Sequence, residues 1–194
     1  MKRSFFLAAA LTVAAMPAMA HTGIGTGSSM ASGFTHPIGG LDHILAMVAV
    51  GILAAQQGGK SLWLIPASFV AMMVFGGALG LNGVAVPMVE IGIVGSIIVL
   101  GAVIALGRQF PPAAAMVLVG FLAIFHGHAH GTEMPMDASG LAYGLGFVVA
   151  TALLHGAGVG ASLLARKLDK DITPIALRAS GSAIAVMGAV LFVL

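Results

Sequence analysis

Charge is scarce in this sequence. Lys, Arg, Asp and Glu make up 7% of its 194 residues against 59% hydrophobic ones, where water-soluble domains carry roughly 25% charge. A chain so poor in polar side chains cannot cover a folded surface that faces water. Cysteine is absent, which excludes disulfides, thiolate metal sites and cysteine nucleophiles and leaves the redox compartment open. Any metal must therefore be held through nitrogen, oxygen or thioether. The formal net charge is only +2, and there is neither a long basic run nor a run of aromatic residues interleaved with Lys or Arg, so no nucleic-acid partner is expected. No nucleotide is expected either, because a phosphate loop ending in Gly-Lys-Ser/Thr is missing.

What the sequence has is apolar length. Windows close to the roughly 20 residues that a helix needs to cross hydrocarbon fall at about 38–56, 62–81, 86–107, 112–130, 139–165 and 174–194. Ahead of them stand Lys2-Arg3, an apolar run from Phe5 to Met16, Pro17 and the small-residue pattern Ala18-Met19-Ala20, which has the form of a secretory signal peptide. An uncleaved first helix is the competing reading, but the apolar run is short for a span. The expected fold class is an all-α integral membrane protein, with residues 1–20 a cleaved signal peptide and 21–194 one domain of six transmembrane helices. Cleavage makes His21 the first residue, and its α-amine and imidazole can chelate a divalent metal. That a histidine merely follows the cut is the plain alternative.

Residues 21–35 are rich in Gly, Ser and Thr and read as a flexible outer segment. With an exported N-terminus, Lys60, Arg108, Arg166, Lys167, Lys170 and Arg178 all fall on the cytoplasmic side, as the positive-inside rule requires. The expected location is a bacterial inner membrane, with the mature N-terminus in the periplasm. Small residues four apart, at Gly76 and Gly80, Gly140 and Gly144, and Gly156 and Gly160, suit close helix packing.

This topology assigns each polar residue a depth. His36, before Pro37, lies at the outer mouth of the first helix, and Asp42 and His43 lie about 7 to 9 Å further in at about 1.5 Å per residue. Seven positions apart, His36 and His43 are expected to share a face. Glu90 reaches a similar depth in the third helix. The fourth ends outward in Phe125-His126-Gly127-His128-Ala129-His130-Gly131, with Glu133 beyond. Burying a carboxylate in the membrane costs about 2.5 to 3.5 kcal/mol, and Asp42 and Glu90 have no Lys or Arg in their windows. A cation is the natural partner, although hydrogen bonds to Ser, Thr or backbone could satisfy one acid. On a regular helix His126 and His130 share a face and His128 points away, whereas an end unwound at Gly127 and Gly131 brings all three together. His155, deep in the fifth helix, reads as an exit ligand or as a helix-to-helix hydrogen bond. Imidazole and carboxylate suit nickel, cobalt or zinc, and Met134 and Met136 keep copper as a minor option.

The run His36-Pro37-Ile38-Gly39-Gly40-Leu41-Asp42-His43 and the run Phe125 to Gly131 with Glu133 resemble the two motifs of the HupE/UreJ family. The signal peptide followed by His21 is similar too, and the likeness extends over essentially the whole chain. It implies a permease for nickel(II), in some members cobalt(II), that supplies hydrogenase or urease and is not an enzyme. By motif position it implicates His36, Asp42, His43, His126, His128, His130 and Glu133. The residues themselves leave two rivals: a membrane metalloenzyme with Glu90 or Glu133 as general base, and a haem-binding subunit with His43 and His126 as axial ligands.

Overall fold

The computed structural model describes residues 29–194; the expected signal peptide and His21 lie outside the described residues. Seven helices follow in order, α1 (Ser29–Gly39), α2 (Leu41–Gln57), α3 (Ser61–Leu81), α4 (Val89–Leu106), α5 (Pro112–Thr132), α6 (Gly140–Leu168) and α7 (Thr173–Val193), with no strand among the described residues. The five from α3 to α7 are each long and apolar enough to span a membrane, and α1 with α2, a bent pair, meets the same test when the two are taken together, which gives five spans or six. Large apolar side chains face outward on several helices: Trp63 is 80% exposed, Leu141 77% and Val117 72%. Water does not tolerate that much contiguous apolar surface. The solvent is lipid, and the chain is a multi-pass membrane protein.

The first span departs from the expected helix over 38–56. From Ser29 onward the segment read as flexible is helical, and the chain turns through 83° between α1 and α2 at Gly40, whose backbone is extended. Pro37 accordingly sits near the end of α1 rather than in the first turn of a span. Packing explains the error. Gly33 lies against the backbone of Tyr143 in α6, and Gly146 against that of Met30, so closely that a Cβ on either glycine would come within 2.0 Å of a carbonyl oxygen. The small residues that signal flexibility in the sequence are what let α1 dock, and tertiary contact then supplies the stability that local propensity does not. The backbone N–H of Ser139 donates to the Ser29 hydroxyl at 2.9 Å and ties the two helix starts together.

α3 packs chiefly on α5, α4 on α7, and both α1 and α2 on α6. In the α3–α5 pair, Gly76 and Gly80 interleave with Gly127 and Gly131; a Cβ on Gly127 would sit 1.9 Å from the Met73 carbonyl oxygen. The α2–α6 contact uses Gly51 and Gly158 instead, while Gly144, Gly156 and Gly160 have nothing within 4 Å. Of the three glycine pairs picked out in the sequence, only the first makes a close helix contact. Gly127→Ala should therefore cost about 1 to 3 kcal/mol by overpacking and lower the thermal midpoint of the purified protein, whereas Gly156→Ala should leave it unchanged.

The bundle has two chemically distinct ends. At one, Gln57 donates to the Arg108 carbonyl at 2.9 Å and accepts from the Phe110 N–H at 2.8 Å, Gln109 donates to the Gln56 carbonyl at 3.0 Å, and Arg178 donates to the Ala105 carbonyl at 2.9 Å. This clasp fastens the end of α2 to the α4–α5 loop, and α4 to the start of α7. The opposite end carries the histidines.

Candidate metal site

Three helix ends of the bundle converge at the histidine end. α1 delivers His36 from its last turn, α2 delivers Asp42 and His43 from its first, and the last turns of α5 deliver His126 and His130. His36 Nε2 lies 3.2 Å from Glu133 Oε2, both partly exposed. The His36 ring meets that of His130 at a centroid distance of 4.7 Å, and His130 meets His43 at 4.5 Å. One ligand atom each from His36, His130 and Glu133 lies within 4.8 Å of the others. Ligands about 2.1 Å from one ion stand roughly 3 to 3.5 Å apart, so closure on an ion takes about an ångström of side-chain movement.

Deeper in, His43 and His126 stand with ring centroids 5.0 Å apart and perpendicular planes. Asp42 Oδ1 accepts both the backbone N–H of His43, at 2.8 Å, and its Nδ1–H, at 2.9 Å. Because an ionised carboxylate only accepts, the His43 proton is on Nδ1, leaving a buried Nε2 that no hydrogen bond engages. A carboxylate behind a ligating histidine is a recurrent support of metal sites. His126, fully buried, has Nε2 2.8 Å from the Ser96 hydroxyl. Below it the Phe69 ring lies between His126, at 5.7 Å, and His155, at 5.1 Å. Among the described residues, seven of the nine buried side-chain polar atoms without a hydrogen-bond partner are imidazole nitrogens. Burial without a partner costs such groups about 1 to 3 kcal/mol each, and each neutral imidazole keeps one nitrogen lone pair able to bind a cation.

The arrangement corrects several expectations. His36 and His43 do not share a helix face; they lie on helices that meet at 83°, and His130 joins them. Helix α5 stays regular through Thr132, since Gly127 and Gly131 are taken up by packing on α3 and do not unwind. His128 consequently points away, its Nε2 donating to the Val84 carbonyl at 2.8 Å. Glu90 is exposed in the first turn of α4, where the helix N-terminus favours an acid, and it makes no hydrogen bond or ion pair to the cluster. His155 is 2% exposed, and neither ring nitrogen makes the helix-to-helix hydrogen bond considered for it.

Sequence reasoning missed Ser96, Phe69 and Tyr143. Ser96 and Glu90 are the polar side chains of an otherwise apolar α4, but a serine can bond its own helix backbone and so does not announce a partner on another helix. Phe69 was one apolar residue among many. Tyr143, 4% exposed with its hydroxyl unpartnered, stands 6.1 Å from His36 between ring centroids. Beside His130 runs a groove of about 300 Å³ lined by apolar groups such as Met73, Leu141 and Phe147. Hydrocarbon walls cannot solvate an ion, so the groups at this end able to meet one are the histidines and carboxylates rather than the groove.

Fold and site together define a polytopic membrane protein with a histidine and carboxylate cluster opening at one end and running inward. A family model described as HupE / UreJ protein matches residues 9–191, and the chain belongs to the HupE/UreJ family. It is 42% identical over 185 residues to Protein HupE of Rhizobium leguminosarum bv. viciae, covering 94% of this chain and 95% of that protein. No solved structure matches it.

Proposed function

We propose that this chain is a permease that carries nickel(II) inward across the bacterial inner membrane for nickel enzymes such as hydrogenase or urease, with cobalt(II) as the alternative cargo. One observation carries the reading. Five histidines, His36, His130, His43, His126 and His155, follow one another from a partly exposed mouth to the interior with successive ring spacings of 4.5 to 5.7 Å, Phe69 intervening before the last. A graded series of borderline nitrogen ligands, none closed into a tight cage, suits an ion that must bind and leave.

In this reading His21 concentrates the ion outside, the His36, His130 and Glu133 group meets it at the mouth, His43 and His126 pass it on, and His155 is the exit ligand. Asp42 orients His43, and His128 holds the α3–α4 connection in place. An ion of charge 2+ moving inward gains about 4.6 kcal/mol at roughly 100 mV, twice the ~2.3 kcal/mol of a single charge. That gain alone supports accumulation of about three decades, so transport needs no ATP.

The haem alternative meets a steric objection. Two imidazoles bound about 2.1 Å from one iron on opposite sides hold their ring centroids about 6 Å apart with a flat macrocycle between, and the 5.0 Å perpendicular contact of His43 and His126 leaves no room for it. Nickel uptake by cells expressing the chain should exceed that of cells with the empty vector, and Glu133→Gln should reduce it about tenfold by removing the charged oxygen ligand. Equal uptake with and without the chain would end the permease reading.

A further inference from the structure

Within the proposed metal path, Ser96 is a group that neither of the two histidine motifs contains. Its hydroxyl lies 2.6 Å from the Ile93 carbonyl and 2.8 Å from His126 Nε2, and both side chains are completely buried. A serine has one proton to give. The carbonyl can only accept, so the serine proton goes to Ile93, and His126 must then donate from Nε2. The lone pair of His126 is thereby fixed on Nδ1, which is buried and otherwise unpartnered. On the adjacent ring Asp42 has the opposite effect, holding the proton on Nδ1 and freeing Nε2.

We propose that Ser96 is a positioning residue that makes His126 Nδ1 a metal-ready nitrogen, so that His43 and His126 form an inner, nitrogen-only station which screens the ions admitted at the mouth. The inference rests on the permease reading and deepens it. The mouth group includes a carboxylate, Glu133, and such an oxygen donor also serves hard cations such as magnesium and manganese. Two neutral imidazoles do not compensate those ions for lost water, whereas nickel and cobalt accept nitrogen readily. Selection then falls on the inner pair, and it requires the correct tautomer there. Without the hydroxyl, the His126 Nε2–H has no acceptor, and the ring is free to exchange tautomers or turn.

The test compares nickel uptake by the wild type, Ser96→Ala and Ser96→Thr, together with nitrogen NMR of ¹⁵N-histidine-labelled protein in lipid, the His126 signals being assigned by their loss in His126→Asn. Ser96→Ala should lower the maximal rate ten- to a hundredfold, the usual consequence of removing a group that supports a metal ligand, and leave the apparent Km within about twofold. Ser96→Thr, which keeps the hydroxyl, should restore most of the rate. The wild-type His126 should carry its proton on Nε2, and Ser96→Ala should show a mixture of tautomers. Wild-type uptake together with an unaltered rate in Ser96→Ala, or a wild-type His126 protonated on Nδ1, would overturn the role of Ser96 and leave the permease standing. Absence of uptake in the wild type would instead overturn the permease, while the NMR would still report whether Ser96 sets the tautomer. If Ser96→Thr does not accumulate because its methyl group overpacks the site, the wild-type tautomer and the Ser96→Ala rate still decide the proposal.

Discussion

His130→Ala should depress nickel uptake about a hundredfold even at saturating nickel, whereas His21→Ala should raise the apparent Km and leave the maximal rate nearly intact. His130 touches both halves of the cluster, its ring lying 4.7 Å from His36 and 4.5 Å from His43, with Phe147 closing a further side at 3.9 Å. Both of its ring nitrogens are buried without a hydrogen-bond partner. An ion that leaves the His36 and Glu133 mouth for His43 has His130 as its intermediate, and alanine opens a gap that excess metal cannot bridge. His21 precedes the first described helix, and a group that only concentrates the ion can be replaced by raising its concentration. The general rule is that loss of uniform binding appears in Km, and loss of a group needed in the rate-determining passage appears in the maximal rate. Uptake measured against nickel concentration for both variants separates the two roles. Full rescue of His130→Ala by excess nickel would remove His130 from the path.

How far the sequence reaches is set by which forces act locally. Lipid solvation is a local property of each apolar window, and the helices from α3 to α7 appear where the windows stand because hydrocarbon leaves a spanning backbone no alternative. Helix α1 was hidden, since its stability comes from Gly33 and Gly146 meeting partners more than a hundred positions away in sequence. The same long-range packing decided the histidine run. In Phe125-His126-Gly127-His128-Ala129-His130-Gly131 the glycines were ambiguous between unwinding and close contact, and α3, through Met73 and Gly77, resolved them as contact. Only a regular helix was then available, which sent His128 to Val84 and left His126 and His130 on the inner face.

The candidate site was legible as a set of residue types more than as a geometry. His36, His43, His126, His130 and Glu133 stand out because ionisable groups are rare in apolar segments, and the structure gathers them into one continuous series. Glu90 stands out in the sequence for the same reason, but its position in the first turn of α4 lets the helix N-terminus and the surface satisfy it. Supporting groups were harder to find. Ser96 costs little in any apolar helix, because it can bond to its own backbone as it does to Ile93, so its type carries no warning of a second partner thirty positions on.

Asp42→Ala should lower uptake about a hundredfold with membrane insertion intact, and Asp42→Asn should retain roughly a tenth of the wild-type rate. Removing a charge from the start of a span makes insertion easier rather than harder, so loss of the protein is not the expected outcome. The difference between the two variants follows from what the carboxylate does. Its Oδ1 accepts from both the backbone N–H and Nδ1–H of His43, and an asparagine carbonyl can accept the same two protons with less charge behind them. The His43 tautomer then survives in Asp42→Asn, with Nε2 still bearing the lone pair, but a weaker electrostatic pull makes the imidazole a poorer ligand. Alanine offers no acceptor, so the ring loses both its orientation and its preferred tautomer. Asp42→Asn as inactive as Asp42→Ala, in protein that inserts normally, would mean that the charged oxygen binds the ion directly rather than acting through His43.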